Sequence, residues 1–302
     1  MNLQFLADGL IMGALVGLGA IGVTLTYSIL RFANFAHGEF IAWGTYTALA
    51  VVGVFTALLG EDVGTIGPLS FGWYVIFAAV LAALLTGLLA LALDWALFSR
   101  LRSRGNAIVM VMASFGASMA LRSMLEFLFT SQPRYFSRDI QMAVPFGLGI
   151  RLTPDQIFLL IMTGVIVVVV DRYMKLSAMG RAMRAVSENP VLARIAGVDV
   201  DRVIRATWII GGALACMAGV MLGITVQIRP FMGFDLLLPL FAAAILGGIG
   251  SMPGAVVGGL IVGFSESVAV QIVGADYRAA IAFIILIAVL LVRPAGLFGV
   301  QE

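Results

Sequence analysis

Trp73-Tyr-Val-Ile-Phe-Ala-Ala-Val-Leu-Ala-Ala-Leu-Leu-Thr-Gly-Leu-Leu-Ala-Leu-Ala-Leu-Asp-Trp-Ala-Leu-Phe98 is the stretch whose reading decides the fold. It is apolar along nearly its whole length, and about 20 such residues carry a helix across roughly 30 Å of hydrocarbon. Comparable runs recur at about 5–30, 40–59, 107–129, 156–173, 206–227, 235–250, 254–273 and 279–292. They predict spanning helices, because in lipid each backbone polar group has to be satisfied within its own segment. Two of the last four runs are short and split by Gly and Pro. Eight spans with one re-entrant segment near 235–255 fit the pattern nearly as well as nine.

Composition points the same way. Of the 302 residues, 62% are hydrophobic and 11% charged, where a soluble domain carries about 25% charge. That leaves too little polar surface to coat a water-soluble globule. A soluble enzyme, a nucleic-acid binder and a disordered chain are excluded. The expected fold class is all-α, a polytopic integral membrane bundle of about eight or nine helices, with residues 1–302 as one transmembrane domain. The formal net charge is +2, from 18 basic and 16 acidic residues. No basic block exists to hold a nucleic acid. The single Cys216 makes no internal disulfide and is expected inside a span as a small buried residue. One Cys and one His are too few for a metal site. The first basic residue is Arg31, so the first apolar run is expected to be a retained span and not a cleaved signal.

The basic residues fall unevenly between alternate loops. One set holds Arg31, Arg100, Arg102, Arg104, Arg172, Lys175, Arg181, Arg184, Arg194, Arg202, Arg205 and Arg293; the other holds Arg134, Arg138, Arg151, Arg229 and Arg278. The richer side is expected to be cytoplasmic, with the N-terminus outside and the C-terminus inside. Arg122 falls within a span, four residues before Glu126, and reads as a local pair that snorkels to the interface. Residues 130–155, with Pro133, Pro145 and Pro154, read as an outer loop or short helix.

Glycine spacing suggests close helix packing. Gly9, Gly13 and Gly17 recur at every fourth position, as do Gly250, Gly254 and Gly258, and again Gly259 and Gly263. Small residues on one stripe let backbones approach, either within one bundle or against a second subunit. The run Leu246-Gly-Gly-Ile-Gly-Ser-Met-Pro-Gly254 is different. Gly247, Gly248, Gly250 and Pro253 should break a helix there, as a plain turn or as a hinge or gate at the inner end of a pathway.

Three further segments carry candidate function. Arg31-Phe-Ala-Asn-Phe-Ala-His-Gly-Glu39 joins the first two spans; Asn34 could cap a helix or hold a turn, and Glu39 suits a helix N-terminus. His37 beside Glu39 reads as a structural cap at a membrane boundary. The cytoplasmic segment 174–205 contains a short helix from Val191 to Ala196, capped by Ser187, with Pro190 in its first turn and Gly197 at its end. An Arg-rich, capped helix between two longer ones reads as a docking element. Glu266, between Ser265 and Ser267, is an acid near the middle of a span. It either faces a pathway or pairs with another helix.

Taken together these segments resemble the permeases of branched-chain amino acid ABC importers. Asn34-Phe-Ala-His-Gly-Glu39 is similar to the family's N-terminal signature. Ser187-Glu188-Asn189-Pro190, with Ala193 and Gly197, resembles its ATPase-contacting loop. Ala244-Ile-Leu-Gly-Gly-Ile-Gly-Ser-Met-Pro-Gly-Ala255, followed by Gly258-Gly259 and Glu266, and the closing Val292-Arg-Pro-Ala-Gly-Leu297 resemble its C-terminal part. The resemblance implies a bacterial inner-membrane permease of type II importer architecture. Its implied partners are a second related permease in a heterodimer, two ABC ATPase subunits and a periplasmic substrate-binding protein, in a lipid membrane and with no cofactor. It implies that Ser187, Glu188, Asn189, Pro190, Ala193, Arg194 and Gly197 couple to the ATPase. Asn34, His37, Gly38, Glu39, Gly247, Gly248, Gly250, Pro253 and Glu266 are the candidates for pathway or gate. Leucine, isoleucine or valine is the expected cargo, with urea or a short amide the alternative.

The sequence has no Gly-x-x-x-x-Gly-Lys-Ser/Thr loop, so a partner is expected to hydrolyse ATP. A proton-coupled carrier would need several acids or His within its spans, and few are present. A serine hydrolase would need a Ser on a tight turn with a His in reach. Gly116-Ala-Ser-Met119 lacks a Gly after its Ser.

Overall fold

The computed structural model describes residues 3–60, 64–102, 106–137, 141–147, 149–274, 277–293 and 296–299. Within them the apolar runs are helices: α1 (Gln4–Leu30), α2 (His37–Leu59), α3 (Trp73–Leu93), α5 (Ala107–Phe129), α6 (Pro154–Leu176), α9 (Val200–Thr225), α10 (Met232–Gly247), α11 (Met252–Val273) and α12 (Arg278–Val292). Three short helices join them, α4 (Ser99–Arg102), α7 (Ala178–Glu188) and α8 (Pro190–Ile195). Seven of the apolar helices are long and apolar enough to cross a membrane, whereas α10 and the apolar part of α12 are shorter. The polytopic helical bundle is therefore as expected, and its helix ends fall within a few residues of the apolar runs.

Local chemistry sets those ends. Thr153 caps α6 and Gln156 reaches back to the Thr153 amide, closing a capping box. Asp199 accepts from the Arg202 amide at the start of α9. Ser251 accepts from the Gly254 amide at the start of α11, whose first turn holds Pro253. Gly248 and Gly250 have φ of 95°, which side-chain-bearing residues rarely adopt. The predicted helix break therefore lies at 248–251, between α10 and α11. Between α3 and α4 the helix widens into a π-helical turn at Asp94–Phe98.

The connection after α5 is a loop, one of the two forms expected for it. Instead of a short helix it carries an antiparallel hairpin, β1 (Val144–Gly147) and β2 (Ile150–Leu152). Pro145 lies in β1 itself, and a proline lacks the N–H that a helix interior needs. Arg104, Arg138, Pro294 and Ala295 lie outside the described residues.

Packing resolves the glycine stripes. α1 and α11 run antiparallel with their backbones in contact. A Cβ on Gly13 would lie 2.8 Å from Leu260 Cα, and one on Gly259 would collide with the Gly17 backbone. Gly263 meets Gly13 in the same way, and Gly9 faces Phe264. Gly254 and Gly258 press on Gly247 and Ala243 of α10. Apart from Gly250, these stripes are filled from within this chain. Without a hydrophobic drive between helices in lipid, such close approach is how dispersion contacts accumulate. Cys216 is fully buried in α9, against Gly44 of α2.

The loops sort onto two ends. Arg31 donates to the Ser187 carbonyl, which places the α1–α2 connection beside α7. At the other end, the Gln4 side chain donates to the Arg151 carbonyl and accepts from the Arg151 amide, at 3.1 and 2.8 Å.

Candidate functional site

Residues 31–36 climb into the bundle. The Phe32 ring lies 5.3 Å from Phe98, which stacks on Trp208 at 5.1 Å. Phe35 packs on Phe115 and Phe241, and its amide donates to Ser114 Oγ at 3.1 Å. Asn34 holds the turn that starts α2: its Oδ1 accepts from the Ala36 amide and its carbonyl from the His37 amide. Apolar aromatic partners and a hydroxyl thus replace water along this connection.

The consequence is a correction for His37. It is 1% exposed, and its Cε1 would lie 2.7 Å from a Cβ on Gly22. Gly22 precedes the end of α1 by eight residues, about 12 Å of helix. His37 is therefore a core residue well below the boundary expected for it. Gly38 follows, and a Cβ there would lie 2.6 Å from the Gly233 carbonyl oxygen. A Cβ on Gly233 would collide with the Gly38 carbonyl in turn. The first turns of α2 and α10 therefore touch backbone to backbone.

Glu39 makes the central ionic contact. Its Oε1 accepts from Arg122 Nη2 at 2.5 Å, Arg122 Nε at 3.2 Å and Ser118 Oγ at 3.0 Å. The Arg122 guanidinium lies 4.3 Å from the Phe234 ring centre and 4.9 Å from that of Phe231. Arg122 is thus joined to α2 and α10, and the local pair with Glu126 is not what engages it. The energetic reason is asymmetric. An i,i+4 surface pair is worth about 0.2–0.5 kcal/mol, whereas an unpaired acid at mid-bilayer costs at least about 2.5–3.5 kcal/mol. Glu39 is 1% exposed, so it claims the cation. Glu39 Oε2 and Asn34 Nδ2 are buried and make no hydrogen bond among the described residues.

Sequence reasoning missed the other half of this cluster. Phe231, Phe234 and Asp235 share an exposed face of α10, while Met232, Gly233, Leu236 and Leu237 are buried. An acid at the head of an apolar run was the available signal. Of the remaining pathway candidates, Gly247 packs on Gly254, and Gly248 lies beside Gly299. The Leu297 and Phe298 amides donate to the Leu246 and Gly247 carbonyls, so residues 297–299 pack beside the 248–251 break. Gly250 opens towards Ser28. Glu266 is 1% exposed on the face of α11 that carries Val262 and Gly263, enclosed within the bundle.

The coupling candidates form a second group, at the Arg-rich end. α7 and α8 make a helical hairpin between α6 and α9. The cap of α8 is Asn189, whose Oδ1 accepts from the Val191 and Leu192 amides, both at 3.0 Å. Ser187 does not cap it: it lies in the last turn of α7 and its hydroxyl donates to the Arg184 carbonyl. An Asx side chain next to Pro190 has the shorter reach to those amides. Ala193 is buried, Gly197 turns the chain with φ of 87°, and the Val198 amide donates to the Ala193 carbonyl. Val191, Leu192 and Ile195 are exposed at 68%, 63% and 79%, and Glu188 and Arg194 flank them. Arg184 donates to the Met174 carbonyl and Arg181 to that of Leu176, which ties α7 to the end of α6.

A bundle of apolar spans, with an ionic cluster sunk in its core and a capped apolar helix displayed at its charged end, defines a polytopic membrane protein. Comparison with known proteins makes this specific. The family described as "Branched-chain amino acid transport system / permease component" matches residues 5–290, and the chain belongs to it. It is 32% identical over 309 residues to the high-affinity branched-chain amino acid transport system permease protein LivH of Escherichia coli (strain K12), covering 99% of this chain and 96% of that one. It is 32% identical over 305 residues to BraD of Pseudomonas aeruginosa, covering 99% and 96%. It is 28% identical over 314 residues to a probable LivH of Methanocaldococcus jannaschii, covering 99% and 93%. Among solved structures, a chain of PsaBC from Streptococcus pneumoniae in complex with Fab shares the fold, with a TM-score of 0.52, 16% identity, and 97% and 95% of the two chains covered. The protein is a multi-pass inner-membrane permease.

Proposed function

We propose that this permease is the membrane subunit of an ATP-driven importer that carries leucine, isoleucine, valine or a closely similar amino acid inward. It pairs with a second related permease. Two cytoplasmic ATPases hydrolyse the ATP, and a periplasmic binding protein delivers the substrate. The N-terminus lies outside and the C-terminus in the cytoplasm, which puts α7 and α8 where the ATPases are. The names of the relatives support the substrate class.

The observation that carries the reading is the exposed apolar face of α8. Val191, Leu192 and Ile195 are exposed among the described residues, yet they sit on a capped, tethered element at the charged end of the bundle. Apolar side chains in that position gain most by entering a groove on another protein. The tether is held at two points: α7 is bonded to α6, and Arg31 reaches the Ser187 carbonyl from the α1–α2 connection. A push on α8 is therefore passed to Arg31–Ala36, and through Asn34, His37, Gly38 and Glu39 to the α2–α10 contact, as a rigid-body movement. Glu188 and Arg194 are the polar contacts with the ATPase.

The pathway runs along the exposed face of Phe231, Phe234 and Asp235, whose two rings pack on the Arg122 guanidinium. Asp235 is exposed at a depth where lipid would penalise a charge, so that face meets water, substrate or the second permease. Reconstituting the chain with its ATPases, second permease and binding protein in proteoliposomes tests the reading. ATP-dependent leucine uptake is the expected result, and Glu188→Lys should abolish it while the protein still inserts. Uptake without ATPase, or full uptake with the charge reversed, overturns it.

A further inference from the structure

A cleft of about 470 Å³ opens between α3 and α9 at the Arg-rich end of the bundle. Leu88 and Leu91 of α3 and Ile204 of α9 form its apolar wall. Arg102, Asp201 and Arg205 stand at its polar mouth. Asp94 is buried at the back and ion-paired with Arg102. Arg205 and Asp201 are exposed and form no ion pair among the described residues. The π-helical turn at Asp94–Phe98 borders the cleft and turns Trp95 outward, 70% exposed, with the Arg100 guanidinium 5.7 Å from its ring centre. Such turns are frequent at functional sites.

The cleft does not end at its wall. Phe77, Val80, Leu84 and Leu88 are all exposed and follow one another at three- and four-residue spacing up α3. They make a single apolar track on the helix surface. A Trp and Arg pair below such a track marks the level of the lipid headgroups. The occupant must therefore be an amphiphile with a long apolar tail and a polar head. Arg102 and Arg205 line the cleft with Asp94 and Asp201, and the Arg100 guanidinium over Trp95 adds a further positive charge beside it. Basic pockets between spans on the cytoplasmic side suit anionic headgroups.

We propose that this cleft binds one anionic phospholipid, with its phosphate on Arg205 and an acyl chain along Leu88, Leu84 and Val80. Arg205 presents the planar fork that matches phosphate oxygens. Asp201 sits one turn away and opposes an anionic head, which gives the site a control of opposite sign. The proposal uses neither the coupling helix nor the substrate route, so it stands or falls apart from them.

The test uses the transporter purified from membranes into nanodiscs of mixed phosphatidylglycerol and phosphatidylcholine, with native mass spectrometry counting retained lipids. Wild type should retain phosphatidylglycerol well above its share of the mixture. Arg205→Gln should lower that retention about tenfold, the scale of a charge-assisted hydrogen bond. Arg205→Lys should retain most of it, and Asp201→Asn should raise it. Retained lipid that mirrors the bulk mixture in wild type overturns the proposal, even if a variant fails to fold. A photo-crosslinker at Leu88 that captures protein in place of lipid overturns it as well.

Discussion

Glu39→Gln is the perturbation that separates a true buried ion pair from chance proximity. The substitution keeps the shape of the side chain and removes its charge. Arg122 would then keep two aromatic rings, at 4.3 and 4.9 Å, and lose the anion that two of its nitrogens contact. Breaking a buried pair from one side costs about 3–5 kcal/mol. Each cation–π contact recovers about 0.5–2 kcal/mol, but those contacts exist already and offset nothing new. Removing both charges in Glu39→Gln with Arg122→Met should cost less than the single change, since a thioether packs well against Phe rings. The double-mutant cycle should give a coupling of at least about 2 kcal/mol. In detergent, the single variant should lose on the order of 5–10 °C in Tm by fluorescence-detected size exclusion, and the double should regain part of it. Additive losses, or a single variant as stable as wild type, would refute the placement of Glu39 beside Arg122.

The α1–α11 contact predicts an order among glycine substitutions. Gly259→Ala would put a Cβ 2.4 Å from the Gly17 backbone and should cost about 1–3 kcal/mol or more, whereas Gly9→Ala meets the movable Phe264 ring at 2.7 Å and its Cα at 3.0 Å and should cost less; thermal stability of the purified protein ranks them. Asn189→Ala removes the acceptor for two amides of α8 and should destabilise that helix by about 1 kcal/mol. Uptake should fall while expression and Tm of the bundle hold, and a matching loss of Tm would contradict a local effect. Asp235→Leu, on an exposed face, should leave stability within about 0.5 kcal/mol of wild type and reduce leucine uptake. Unchanged uptake would take Asp235 off the pathway.

The spans were legible because hydrocarbon thickness imposes a length and a composition on each one separately. The break at 248–251 was legible for a similar reason: Gly248, Gly250 and Pro253 act through their own backbones. The cap of α8 was read two residues early, since Ser187 and Asn189 are both capping types and only the fold shows which side chain faces the amides. Depth was not legible. Arg31–Glu39 has the composition of a boundary loop, and its place in the core depends on cavities that Gly22 and Gly233 open on other helices. Nor was the partner of Arg122, because proximity in sequence favours Glu126 and only three-dimensional packing brings Glu39. The hairpin at 144–152 and the π-helical turn left no periodic trace. Which surfaces stay exposed is likewise a property of the assembled bundle, so Phe231, Phe234 and the face of α8 could be assigned only with the structure in hand.

Photo-crosslinking from α8 in native membranes probes the mechanical linkage most directly. With a crosslinker at Leu192 or Ile195, the ATPase subunit should be captured, and the yield should change between nucleotide-free and ATP-trapped states. Crosslinks that reach the ATPase only from other positions, with residues 191–195 reacting as freely with a water-soluble reagent as any solvent loop, would contradict the account.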